Sequence, residues 1–160
     1  LLLLLGSVLP LSLSAQTQLK IGFVNAAKIL DDSPQAEQAR KRLEKEFAPR
    51  DKALVDAQRT LRNLEDKLVK DGAVMSEVER RRFDRKIRDQ RRELKRAQDE
   101  FREDFNIRRN EELGKLQKLV YEAIVNLAET EGFDLIVNDG AVIFASKQVD
   151  ITDKVLTRLK

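Results

Sequence analysis

Two long stretches of this chain repeat apolar residues every three or four positions, and strand-like segments border them on both sides. From Pro34 to about Lys70 the apolar positions are Ala36, Ala39, Leu43, Phe47, Leu54, Ala57, Leu61, Leu64 and Leu68. Such spacing keeps a single narrow stripe on one side of a helix. Asp71-Gly72 breaks the pattern, and a second stripe then runs through Phe83, Ile87, Leu94, Ala97, Phe101 and Phe105 to Leu127. Two narrow stripes need only each other for burial, so they predict an antiparallel coiled-coil hairpin over residues 34–127 with its tip near 71–75. The flanking segments, Lys20–Val24 and Phe133–Ala145, read as strands. The expected fold class is therefore α+β and mostly α: a long helical hairpin inserted into a small β body made of residues 16–33 and 128–160.

The helix boundaries are written in capping residues. Asp32 or Ser33 can cap the first helix, Pro34 suits its first position, and Glu37 favours its positive end. Pro49 lies inside the stripe, where a missing N–H and a ring clash cost about 3 kcal/mol or kink the helix. Residues 47–50 are therefore expected to form a bend, with two tightly joined helices as the alternative. Ser76 followed by Glu79 matches a capping box, and Gly132 suits the far end. A second helix from about Ser76 to Glu131 would be about 80 Å long. From Leu113 its apolar face broadens to include Leu116, Leu119, Val120, Ile124 and Leu127, which implies packing against a body.

Within that body, Ile21 and Phe23 share one strand face. Phe133–Val137 reads as a second strand, Asn138-Asp139-Gly140 as a hairpin turn, and Ala141–Ala145 as the returning strand. Val155, Leu156 and Leu159 mark a short final helix. Three short strands and one helix make a thin core with open sheet edges, which pairing between subunits would cover. Ile21, Phe23, Ile136, Val142 and Phe144 are the candidate oligomerisation residues.

The first fifteen residues differ in kind. Leu1–Leu5, Val8, Leu9, Leu11 and Leu13 form an apolar run that ends in Ser12-Leu13-Ser14-Ala15. This matches the core and cleavage region of a secretory signal, with the cut expected after Ala15. The run lacks an initiator Met and a basic start, so the signal reads as truncated. A membrane anchor is the alternative, but a span needs about 20 apolar residues and Pro10 interrupts this run.

Charged residues are 37% of the chain and aromatics 5%, the balance of an exposed coiled coil. Cysteine and histidine are absent, which removes disulfide, thiol and imidazole chemistry. The sequence has no Gly-rich phosphate loop, nucleophile elbow or metal-ligand cluster, so the reading is a non-enzyme without cofactors. Asp134, Asn138, Asp139 and Asp150 are conceivable calcium ligands, though turn formation and strand-end capping explain them too. The distal arm carries Arg80, Arg81, Arg82, Arg85, Lys86, Arg88, Arg91, Arg92, Lys95 and Arg96 against five carboxylates. Ion pairing on a solvated helix face accounts for part of this, and the excess suits acidic polypeptide or an anionic surface. Nucleic acid fits poorly because aromatic stacking residues are missing there. The contact candidates are Arg80, Arg81, Arg82, Arg85, Lys86, Arg88, Arg91 and Arg92.

The leader, Lys20-Ile21-Gly22-Phe23-Val24-Asn25, the long basic hairpin, Phe133-Asp134-Leu135-Ile136-Val137 and Asp150-Ile151-Thr152 together resemble the Skp/OmpH family of periplasmic chaperones. The strand segments and the Asp-Ile-Thr ending carry the resemblance, while the coiled coil matches by character. It implies a homotrimer whose β-barrel-like body draws on all three chains, with three helical arms around a central cavity. It further implies ATP-independent holding of unfolded outer-membrane proteins in the periplasm and their delivery to the outer membrane. Lipopolysaccharide or other anionic lipid is a further partner the resemblance suggests, with no residue assigned. A structural envelope coiled coil and a membrane-surface binder using the arginine-rich arm are the competing classes.

Overall fold

The computed structural model describes residues 18–160, so the apolar leader and its expected cleavage site lie outside the described residues. In chain order the elements are β1 (Ile21–Val24), α1 (Ala26–Asp32), α2 (Pro34–Asp71), α3 (Glu77–Glu131), β2 (Leu135–Asn138) and α4 (Thr152–Arg158). The fold is the expected one in class: a long helical hairpin set into a small strand-bearing body.

Each boundary has a visible cause. The Asn25 side chain accepts from Lys28 N at 2.8 Å and starts α1. Ser33 Oγ accepts from Ala36 N at 3.2 Å, and Pro34 opens α2 without losing a helical hydrogen bond. Ser76 and Glu79 form the reciprocal capping box of α3: Ser76 Oγ accepts from Glu79 N, and Glu79 Oε2 from Ser76 N. Gly132 ends α3 at φ 67°, a left-handed conformation that side chains disfavour. α2 runs through Pro49 as one helix, so the two-helix alternative does not hold.

The sheet departs from expectation. β2 pairs with β1 in parallel, Ile21 opposite Leu135 and Phe23 opposite Val137. Parallel neighbours require a long crossover, and here the whole hairpin is that crossover. The predicted returning strand at Ala141–Ala145 does not form. Asp139–Ala141 is instead a single 3-10 turn, after which residues 142–145 carry no regular structure. A long-range contact accompanies this: Asp139 Oδ1 accepts from Ala26 N at 3.1 Å, tying the turn to the start of α1 rather than folding it back. The third β-type contact falls at 149–151, where Phe23 N donates to Val149 O at 2.7 Å and Ile151 N to Phe23 O at 2.9 Å. β1 thus has β2 along one side and a single bridge at Phe23 on the other.

The core gathers Val24, Ile29, Ala36, Leu116, Val120, Leu127, Ile151, Val155 and Leu159. Leu116 and Val120 belong to the broadened face of α3, so the descending helix does enter the body. Gly22 faces this core closely: a Cβ there would stand 2.9 Å from Ile151 Cδ1 and 3.2 Å from Phe133 Cε1. Gly22→Ala should therefore destabilise the body by roughly 1–3 kcal/mol, the usual penalty of overpacking. A urea midpoint equal to that of the parent would show that the strand has room to shift.

The Asp-Ile-Thr ending explains itself here. Asp150 Oδ1 accepts from Thr152 N at 2.9 Å and from its hydroxyl, and Thr152 Oγ1 accepts from Asn25 N at 2.9 Å. Asp134 accepts from Lys20 N at 2.7 Å. These carboxylates are occupied in joining the ends of β1 to the rest of the body, and no group of metal-binding side chains occurs among the described residues.

Candidate functional site

The arm is built around its own seam. Phe47, Leu61 and Ile87 are buried there, with Leu54, Leu68, Phe83, Leu94 and Phe101 half-buried beside them. Near its base Phe47 meets the edges of Phe101 and Phe105, at 5.5 and 5.2 Å between ring centres. Further out, Ala53, Ala57 and Ala97 thin the seam and leave an open groove of about 310 Å³ between α2 and α3. The arm's apolar residues are thus largely used in holding the hairpin together, and what it offers outward is charge.

The eight candidate cations all lie on the outer half of α3, and they divide into two groups. Arg81 pairs with Glu77, Arg92 with Asp89, and Arg91 reaches across to Glu65 on α2. Arg80, Arg82, Arg85, Lys86 and Arg88 are exposed, and no carboxylate among the described residues stands within ion-pair distance of them. Self-pairing therefore explains only part of the arginine excess. The tip also carries Val69, Val74 and Val78, each more than three-quarters exposed. The apolar stripe pattern gave no notice of these valines because they fall off its period.

The candidate oligomerisation residues are dispersed. Ile136 packs inward against the chain's own core. Phe23 and Val142 are half-buried, Ile21 is partly exposed, and Phe144 is 82% exposed beside a fully exposed Ile143. The Val142–Ala145 segment therefore has strand-like residues and no strand partner within its own chain.

The base of the arm holds a cluster not anticipated from the sequence. Glu112 is only 5% exposed; it accepts from Lys115 Nζ at 2.8 Å and from Arg42 Nη2 at 2.6 Å. Those bonds, Lys115 first, hold its carboxyl down to about 2, below the ordinary 4.5. Because the folded value lies below the unfolded one, the stabilisation is present above about pH 4.5 and is lost as pH falls towards 2. Parent and Glu112→Gln proteins should accordingly differ in urea midpoint at pH 6 and converge near pH 2. A difference independent of pH would detach the effect from this carboxylate. Two further pairs join the helices, Glu46–Arg108 at 3.1 Å and Arg50–Asp104 at 2.8 Å.

No helix among the described residues is long and apolar enough to cross a membrane. The two grooves between α2 and α3 are open and lined by alanine, leucine, phenylalanine and charged side chains, without a convergent set of acid, base and nucleophile.

Comparison with known proteins gives this arrangement a context. A chaperone protein Skp from Pectobacterium atrosepticum is 32% identical over 156 residues, covering 98% of this chain and 94% of its own. The chaperone protein Skp of Escherichia coli K12 is 32% identical over 160 residues, covering 99% and 98%. A crystal structure of an OmpH-like protein from Caulobacter crescentus CB15 superposes with a TM-score of 0.76 at 14% identity, over 99% of this chain and 90% of that one, which shows the shared fold. The sequence model described as "Outer membrane protein (OmpH-like)" matches residues 20–159. With a match over nearly all of the described residues and relatives of this identity, the chain belongs to the OmpH-like family, a family of Skp chaperones rather than of enzymes.

Proposed function

We propose that this protein is an ATP-independent periplasmic holdase that encloses unfolded outer-membrane proteins between helical arms and passes them towards the outer membrane. The observation that carries the reading is an arm whose apolar residues are mostly consumed in its own seam while its outer surface keeps unpaired cations. Such a surface attracts an unfolded chain through many weak contacts and does not commit to one sequence. A client with exposed apolar strands aggregates when free, and enclosure keeps clients apart. Release needs no nucleotide if each contact is weak and several arms share the load.

Three arms require three chains. In a single chain the outer edge of β2 has no partner among the described residues, and Ile143 and Phe144 stand in solvent. An open edge and an unpartnered strand-like segment on the same body are complementary needs. A homotrimer in which Val142–Ala145 of one chain covers the sheet of its neighbour meets both.

The cations supply the test of capture. Replacing Arg80, Arg82, Arg85, Lys86 and Arg88 by Gln should leave helicity nearly intact, since Gln is a comparable helix former. Association with an acidic unfolded outer-membrane protein should slow by roughly tenfold, and parent capture should weaken above about 0.15 M salt, where the screening length is about 8 Å. Stopped-flow capture rates that ignore both salt and the substitutions would assign these side chains to solvation alone.

A further inference from the structure

The three ion pairs crossing the base of the arm form a regular pattern. Arg42, Glu46 and Arg50 follow one another four residues apart on α2. Their partners Glu112, Arg108 and Asp104 follow at the same step on α3, running the opposite way. Four residues is just over one helical turn, so the rungs stand on one flank of the seam. The charges alternate in sign along each helix.

Alternation matters because an apolar seam discriminates weakly between registers one turn apart; a displaced side chain still meets another, as Phe47 would between Phe101 and Phe105, which stand four residues apart. The ladder discriminates strongly. Sliding α2 one turn in one direction sets Arg42 against Arg108 and Glu46 against Asp104. Sliding it the other way sets Glu46 against Glu112 and Arg50 against Arg108. The ladder charges then face their like, which is repulsive at this range, and the one attractive contact is Arg50 opposite Glu100 in the first of these slips.

Pro49 lies between the second and third rungs. Having no N–H, it leaves the Lys45 carbonyl without its helical donor. Glu46, Arg50 and the Phe47 ring tie both sides of that weak point to α3.

We propose that the alternating ladder of Arg42–Glu112, Glu46–Arg108 and Arg50–Asp104 sets the register of α2 against α3 and holds the base of the arm as one unit through Pro49. The Glu46–Arg108 and Arg50–Asp104 pairs are partly exposed and add little to stability, so apart from the bond to the buried Glu112 the ladder acts by choosing among registers rather than by strength.

The chain has no cysteine, so cysteines introduced at the exposed Lys52 and Gln117 can carry paired spin labels, and assembly with an excess of unlabelled protein leaves one labelled chain per oligomer. These sites are staggered along the arm, and a one-turn slip changes their separation by about 6 Å. The centre-rung swap E46R/R108E keeps three attractive rungs in the native register but makes the slipped registers attractive as well. The outer-rung swap R50E/D104R turns one of two repulsive pairs attractive in the register that sets Glu46 against Glu112, and leaves the other register repulsive because the glutamate introduced at position 50 would face Glu100. The parent should give one narrow distance distribution, the outer swap a minor second population, and the centre swap the largest, displaced by about 6 Å, with melting temperature near that of the parent. A single unchanged distribution in both swaps overturns the proposal and assigns the register to the body, as does a second population already present in the parent. If the centre swap loses helicity, the outer swap against the parent decides on the same two outcomes.

Discussion

Ile136→Asp should unfold the body and dissociate the assembly together, whereas Phe144→Asp should dissociate the assembly and leave the chain folded. The two residues were grouped by sequence as strand positions, and their surroundings separate them. Ile136 is half-buried against the core beside Gly22, so an aspartate there loses water without gaining a partner, at a cost of about 2 kcal/mol. That is a large share of the 5–15 kcal/mol by which domains are usually stable. Phe144 is 82% exposed in the single chain, so aspartate at that position costs the fold little and removes only what a neighbour would cover. Circular dichroism and sedimentation at micromolar concentration, read side by side, distinguish the two. A Phe144→Asp protein that sediments as the parent does would remove the segment from the interface. A folded monomer of the parent would remove the trimer itself.

Deleting residues 53–98 and closing the gap with a short linker should leave an intact oligomer that no longer protects clients. The deletion takes away the alanine-thinned seam, the tip valines and all eight candidate cations. It leaves the Phe47–Phe101–Phe105 cluster and the three cross-helix rungs, which lie wholly at the base. The stub should therefore fold, with loss of protection complete rather than partial. Loss of the oligomer along with the arm would mean that the distal hairpin helps to assemble the body.

The helices were legible in the sequence because each boundary has a local cause: Ser33 before Pro34, Ser76 with Glu79, and Gly132 in the left-handed region. The seam was legible because its period is that of a helix. The sheet was not. Val142–Ala145 has the composition of a strand, but composition does not say which chain provides the partner. Asp139 was read as a turn residue, while its carboxylate serves Ala26, 113 positions earlier. The charge ladder was hidden for a related reason: mixed signs at four-residue steps are visible on each helix, yet their pairing appears only once the register is known. As for the arm's cations, sequence could count the excess, but only the geometry divides those with a partner from those without.

The most direct test of the central claim is light scattering from an unfolded outer-membrane β-barrel protein diluted out of urea, with no nucleotide present. Added in molar excess, the protein should hold scattering near baseline and keep the client soluble and unfolded, and a client supplied with membranes should then still fold. Scattering that rises as fast with the protein as without it would contradict the holdase account.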